Sequence, residues 1–170
     1  HPDADEETSI MRTPSMLRVA TIIGTTLNAT LREVSERTRD LNQQASASMI
    51  VAGQRKGGAM RLFLIYPQGN FIEATEDTPF LQIGEHKYGK PILDRVVTPE
   101  TSLADAQKAV LLSMDSTLRS NLSVGMPLDM AVIKSDECRI SQKRRILDGD
   151  PAFMAMSAAW SAALRDSFVK

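Results

Sequence analysis

Apolar positions recur along this chain at two different periods, and the change of period marks its elements. Residues 1–8 look like an acidic loop, and 1–13 as a whole read as a solvated loop. From there Leu17, Ala20, Gly24, Leu27, Leu31, Val34 and Leu41 fall on one helical face. The spacing predicts a helix over 14–41, with Thr13 as its cap and Pro14 in its first turn. The opposite face carries Arg32, Glu33, Glu36, Arg37 and Asp40. Glu33 with Arg37 is a favourable pair one turn apart; Glu36 with Asp40 is not. Ala20 and Gly24 narrow the apolar face, so another backbone can come close. Covering a sheet is the expected use of such a helix, and a subunit contact is the alternative.

Over 47–83 the period shortens and a strand meander is expected. Ser48–Gly53 and Ala59–Tyr66 are nearly continuous apolar strands joined through Gly57-Gly58, an antiparallel hairpin. The turn Pro67-Gln68-Gly69-Asn70 leads to a strand from Phe71, and Phe80–Ile83 reads as a further short strand. Strands this apolar predict cover on both faces: helices on one side, a second sheet on the other.

Helical spacing returns over 91–121. A short helix over Pro91–Val97 precedes the break Thr98-Pro99-Glu100-Thr101. Ser102-Leu103-Ala104-Asp105 then resembles a capping box, and Leu103, Ala106, Val110, Met114 and Thr117 make the expected buried face. A strand pair is expected over 128–142, with Lys143-Arg144-Arg145 following as solvated surface or a basic patch for a partner. Asp150-Pro151 is a cap followed by a first-turn proline, opening a C-terminal helix over 151–168. Phe153, Met156, Trp160 and Leu164 line its apolar side.

Length and composition narrow the class. At 170 residues the chain is expected to be one domain, 1–170, with a real core. Its 20 basic and 21 acidic residues give a net charge of −1, which argues against nucleic acid bound through bulk charge. One cysteine, Cys138, allows no internal disulfide framework and fits a reducing cytosol. The two histidines, His1 and His86, lie far apart with no cysteine cluster, against a zinc site. Neither a membrane-spanning run nor a signal peptide is visible, so no membrane partner is expected. The chain opens on His1 without an initiator methionine. Removal of leading residues and a fragment of a longer chain are both readings of that start, the fragment being favoured.

The candidate chemistry lies in two polar runs. Gly84-Glu85-His86-Lys87-Tyr88-Gly89-Lys90-Pro91 crowds charged groups between glycines. Arg119-Ser120-Asn121-Leu122-Ser123-Val124-Gly125 places two serines in the loop after the second long helix. Taken alone, Ser120 and Ser123 are also ordinary helix-end residues. Glu85, His86 and Lys87 also suit a contact between subunits, Glu85 could pair with Lys87 or Arg95, and Tyr88 suits packing.

Three patterns give these runs a family resemblance. The hairpin Met49–Gly53 and Leu62–Ala74 is similar to that of proteasome β-type subunits. The helix opening at Ser102-Leu103-Ala104-Asp105-Ala106, with Gly125-Met126-Pro127-Leu128-Asp129-Met130-Ala131-Val132-Ile133, resembles their helix and following strand. The run Gly84–Asp94 resembles its counterpart in the bacterial proteasome homologues of the Anbu, or ancestral beta subunit, group. The resemblance runs from about residue 14 to the end of the chain. It implies an α+β fold, the four-layer αββα sandwich of N-terminal nucleophile hydrolases, incomplete in this chain.

The resemblance also implies a reaction. Family members attack an amide with an N-terminal threonine whose own α-amine serves as base. That threonine, and the aspartate and lysine that tune it, belong to strands before the first long helix, so these 170 residues alone are expected to be inactive. What remains is a supporting shell. Ser123 matches a serine that hydrogen-bonds the amine. Ser120 stands where proteasome subunits have an aspartate, Val124 where they have a glycine, and Glu85 where they have a supporting serine, a place from which a carboxylate could take over proton transfer. The implied protein is a threonine-type peptide or amide hydrolase, assembled with itself as a large ring or spiral. No metal or organic cofactor is implied. A non-catalytic structural subunit of such an assembly, or a small α/β binding module, are the alternatives.

Overall fold

The structure, a computed structural model, describes residues 9–39 and 45–170; the expected places of Asp40 and Leu41 lie outside them. By contacts the chain forms two compact units. One holds the described residues up to Ile83 with Ile133–Arg139, the other Gly84–Val132 with Ile140–Lys170.

In the first unit, α1 spans Met16–Arg37. Its cap is Ser15, whose Oγ accepts from the Arg18 N–H at 3.2 Å, and not the expected Thr13. Thr13 sits in the preceding turn, its N–H bonded to the Ser9 carbonyl at 3.1 Å, and its side chain is buried. Only the residue adjoining the first helical turn can reach the orphan N–H groups. The buried face is Met16, Val19, Ala20 and Gly24, with Ile23 and Leu27 packed beside it. Leu17 and Val34, expected on that face, are exposed.

The rotation has a local cause. Gly24 meets the backbone of Gly69, and a methyl group there would overlap the Gly69 carbonyl. Asn28 Nδ2 donates to the Pro67 carbonyl at 3.1 Å in the same turn. The close backbone approach that Ala20 and Gly24 suggest is therefore made, against a turn of the sheet. Further out, Arg37 and Glu33 form the expected pair at 2.5 Å.

Strands β1 (Met49–Gly53), β2 (Arg61–Ile65) and β3 (Phe71–Glu73) form an antiparallel sheet in sequence order. Val51 pairs with Phe63, and Ile65 with Phe71, so these side chains share the face toward α1. Phe63 and Ile65 are fully buried, worth about 1.5–3 kcal/mol each. The Phe63 and Phe71 rings meet edge to face at 5.5 Å. On the same face Arg61 grips the Glu73 carboxylate through two nitrogens, one at 2.6 Å, and its guanidinium lies 5.3 Å from the Phe63 ring centre. That hydrogen bond holds Glu73 below the usual carboxylate range and raises Arg61.

The other face carries the row Ile50–Leu64–Ile72. Ile50 and Ile72 are exposed, so the expected cover on both faces is absent there among the described residues. Nor is Phe80–Ile83 a strand. Thr75 and Thr78 exchange both backbone hydrogen bonds at 3.1 Å, closing a turn that ends the ladder before it.

In the second unit, α2 spans Lys90–Val96 and α3 spans Leu103–Ser120. Ser102 caps α3 as expected, accepting from the Asp105 N–H at 3.1 Å. The buried face of α3 is Ala109, Ser113, Asp115 and Thr117, while Leu103 and Val110 are exposed. A Cβ on Gly89, which begins α2, would overlap the Ser113 hydroxyl and lie 2.8 Å from its carbonyl oxygen. Contact that close admits small and hydroxyl side chains, not the aliphatic face that the spacing suggests.

Strands β4 (Leu128–Ile133) and β5 (Ile140–Ile146) pair as a second sheet. The strand pair thus runs past 142, and Lys143–Arg145 lies inside β5 instead of after it. A ladder needs only backbone groups, so a charge run can occupy it. Arg144 is held by both oxygens of Asp150 at 3.0 Å, and Ile146 is fully buried. Helix α4 spans Pro151–Val169, with Asp150 capping it through the Phe153 N–H at 2.9 Å. Leu164, expected on its apolar side, is exposed.

Candidate functional site

Both polar runs fall in the second unit. Gly84 takes a positive φ of 79°, a conformation glycine adopts without the strain a Cβ would bring. The turn presents Glu85, half-buried, with His86, Lys87 and Tyr88 exposed beyond it. The His86 Nδ1 lies 3.1 Å from the Gly84 carbonyl, which can only accept, so this nitrogen carries the proton. Gly89 then seats the run against α3.

Helix α3 ends at Ser120, and Asn121 leaves it with φ −137° and ψ 112°. The end is anchored one residue earlier. Arg119 Nε donates to Asp115 at 3.2 Å and its Nη2 to Ser157 Oγ of α4 at 2.6 Å. Ser157 Oγ in turn donates to Asp115 at 2.7 Å. Asp115 and Ser157 are buried, so this closed set of charge-assisted bonds ties α3 to α4 just before the loop. It also borders a cavity of about 620 Å³ with Met126, Asp148 and Phe153, to which Glu85, Asn121 and Ser123 do not contribute.

From this anchored end Asn121 reaches both ways. Its Nδ2 donates to Glu85 Oε2 at 2.9 Å. Its Oδ1 accepts from the Ser123 N–H at 2.8 Å and from Ser123 Oγ at 2.7 Å. Two of the three expected site residues, Glu85 and Ser123, are thus joined through a third that sequence reasoning missed. Ser120 does not join them: it is exposed, and its hydroxyl makes no hydrogen bond among the described residues. The Lys87 and Arg95 side chains do not pair with Glu85 either. Glu85 Oε1 meets the Lys87 backbone N–H at 3.4 Å, and Arg95 donates to the Pro91 carbonyl at 2.5 Å.

Ser123 donates to an amide and not to a base, so nothing in this arrangement activates it as a nucleophile. What the three residues can do is hold acceptor oxygens in a set direction. Asn121 was visible only as a helix-end residue; a polar side chain between two serines, itself flanked by a carboxylate far away in sequence, gives no local signal.

No family model matches the chain, and no curated protein matches it. Solved structures do. Anbu from Hyphomicrobium sp. strain MC1 is 49% identical with a TM-score of 0.86, over 99% of this chain and 68% of that one. Anbu (ancestral beta-subunit) from Yersinia bercovieri is 44% identical with a TM-score of 0.88, over 99% and 70%. The helical assembly of the Anbu complex from Pseudomonas aeruginosa is 45% identical with a TM-score of 0.80, over 91% and 64%. The chain therefore spans about two-thirds of the length of these relatives.

The fold is a mixed helix-and-sheet one, with Glu85, Asn121 and Ser123 joined where α3 ends. The chain belongs to the Anbu (ancestral beta subunit) family.

Proposed function

We propose that this chain is the larger part of a proteasome-like subunit of an N-terminal-threonine amide or peptide hydrolase. In this reading the subunit is a four-layer αββα sandwich, and the attacking threonine is supplied by polypeptide outside the 170 residues. The α-amine of that threonine works as its base, with Glu85 and Ser123 beside it as supporting groups. The likeness to Anbu structures over nearly the whole chain carries the reading. The open apolar row Ile50–Leu64–Ile72 suits a sandwich interior. Copies of the subunit assemble with one another, as the helical assembly of the Pseudomonas aeruginosa protein supports. The substrate is a peptide or other amide, no cofactor takes part, and the protein works in the cytoplasm.

The exposed Ser120, where the resemblance to proteasome subunits implies an aspartate, favours a second reading: a structural subunit without catalysis. Treatment of the full-length protein with a β-lactone probe, followed by intact-mass analysis, separates the two. One acyl group on an N-terminal threonine supports the hydrolase. An N-terminus that stays unmodified supports the structural subunit. Native mass spectrometry of the same sample should give a large oligomer, and a monomer contradicts both.

A further inference from the structure

The backbone of Asn121 does not require asparagine: φ −137° and ψ 112° is extended geometry that any residue adopts. Its N–H bonds the Thr117 carbonyl at 2.9 Å whatever the side chain. The side chain is needed for something else. A carboxylate only accepts and a backbone N–H only donates. Glu85 on one side and the Ser123 N–H on the other therefore fix the amide one way round, since a flipped amide would set like against like at both ends. With Oδ1 so placed, the Ser123 hydroxyl must spend its proton on Asn121. Its remaining capacity is lone pairs alone, and Glu85 likewise offers only acceptors.

We propose that Asn121 is a positioning residue that sets the direction of the hydrogen bonds at this site, so that Ser123 and Glu85 face outward as acceptors and together receive a protonated amine. The role rests on the hydrolase reading, in which the threonine α-amine takes up a proton during attack and must be held as an ammonium until it returns it. Both ends of the Asn121 amide are engaged at 2.7–2.9 Å, so neither acceptor can turn its polarity without breaking the set. The Lys87 backbone N–H also meets Glu85 Oε1, at 3.4 Å, and that bond is too long to replace the one from Asn121.

The test is a polarity exchange in the full-length protein. In Asn121→Asp two carboxylates face each other, and acylation by a β-lactone probe should slow by about tenfold or more. In the double variant Asn121→Asp with Glu85→Gln, the new glutamine amide donates to the new aspartate, which still accepts both Ser123 bonds. Its acylation rate should recover part of the loss, because the glutamine restores the hydrogen-bond direction and keeps an acceptor oxygen but not the carboxylate's charge. A residue that mattered only for packing would show no such rescue. Asn121→Asp acylated at the wild-type rate, or a double variant no faster than the single one, overturns the proposal. If wild type itself is not acylated, the hydrolase reading fails, and hydrogen exchange still decides the role of Asn121. Exchange of the Ser123 amide should quicken by about tenfold in Asn121→Ala and return toward wild type in the double variant. Unchanged exchange in Asn121→Ala overturns the positioning role.

Discussion

Ser157 on α4 donates its hydroxyl proton to Asp115 on α3 at 2.7 Å while accepting from Arg119 at 2.6 Å. Both Ser157 and Asp115 are buried, and Arg119 leads directly into the Asn121 loop. Removing the hydroxyl leaves a buried carboxylate oxygen without its donor. Ser157→Ala should therefore lower unfolding stability by about 1–3 kcal/mol, read from the urea midpoint. An unchanged midpoint would mean that water replaces the hydroxyl and that the clamp is dispensable.

Gly24→Ala sets two effects against each other. Alanine favours a helix interior over glycine by about 1 kcal/mol. Here the added methyl would overlap the Gly69 carbonyl, which is backbone and cannot swing aside. Overpacking of this kind costs about 1–3 kcal/mol or more, so the variant should melt at a lower temperature. A raised melting temperature would show that α1 does not seat on the Pro67–Asn70 turn.

Gly89 tests the second unit in the same way. Its φ of −93° suits any residue, so only space is at issue. Gly89→Ala meets both the hydroxyl and the carbonyl of Ser113. Adding Ser113→Ala removes the first obstacle and not the second. The double variant should recover part of the loss in melting temperature. Full recovery would place the strain in the hydroxyl alone.

Asp150 predicts a pH dependence. The Phe153 backbone N–H, and then Arg144, hold its carboxyl below the usual range. A carboxyl lowered in the folded protein adds stability above its unfolded pKa, about 3.9, and loses it as pH falls through the folded value. Asn is also a good cap, so Asp150→Asn removes the charge and keeps the cap. The stability difference between wild type and this variant should be constant above about pH 5 and shrink below about pH 4. A difference that grows on acidification would contradict the ion pair with Arg144.

The parts of the fold that were legible in sequence are those set by local chemistry. Ser102 and Asp150-Pro151 announce helix starts through the groups that satisfy orphan N–H donors, and Gly57 and Gly69 take the positive φ that their turns require. The faces of the helices were less legible, because tertiary contact chose them. Ser113 and Asp115 are buried by a close approach and by a buried polar clamp, neither of which hydrophobic spacing can register, whereas Thr117 is buried as its spacing suggests. The same holds at the site. Glu85 and Ser123 stand out by type and by family pattern, whereas Asn121 acquires its part only when folding brings residue 85 beside residue 121.

The N-terminal-threonine hydrolase proposed above is tested at the terminus itself. Intact-mass and N-terminal analysis of the protein expressed from its complete coding sequence should show the initiator methionine removed and a threonine with a free α-amine at the new terminus. A retained methionine, or a first residue other than threonine, would contradict the account.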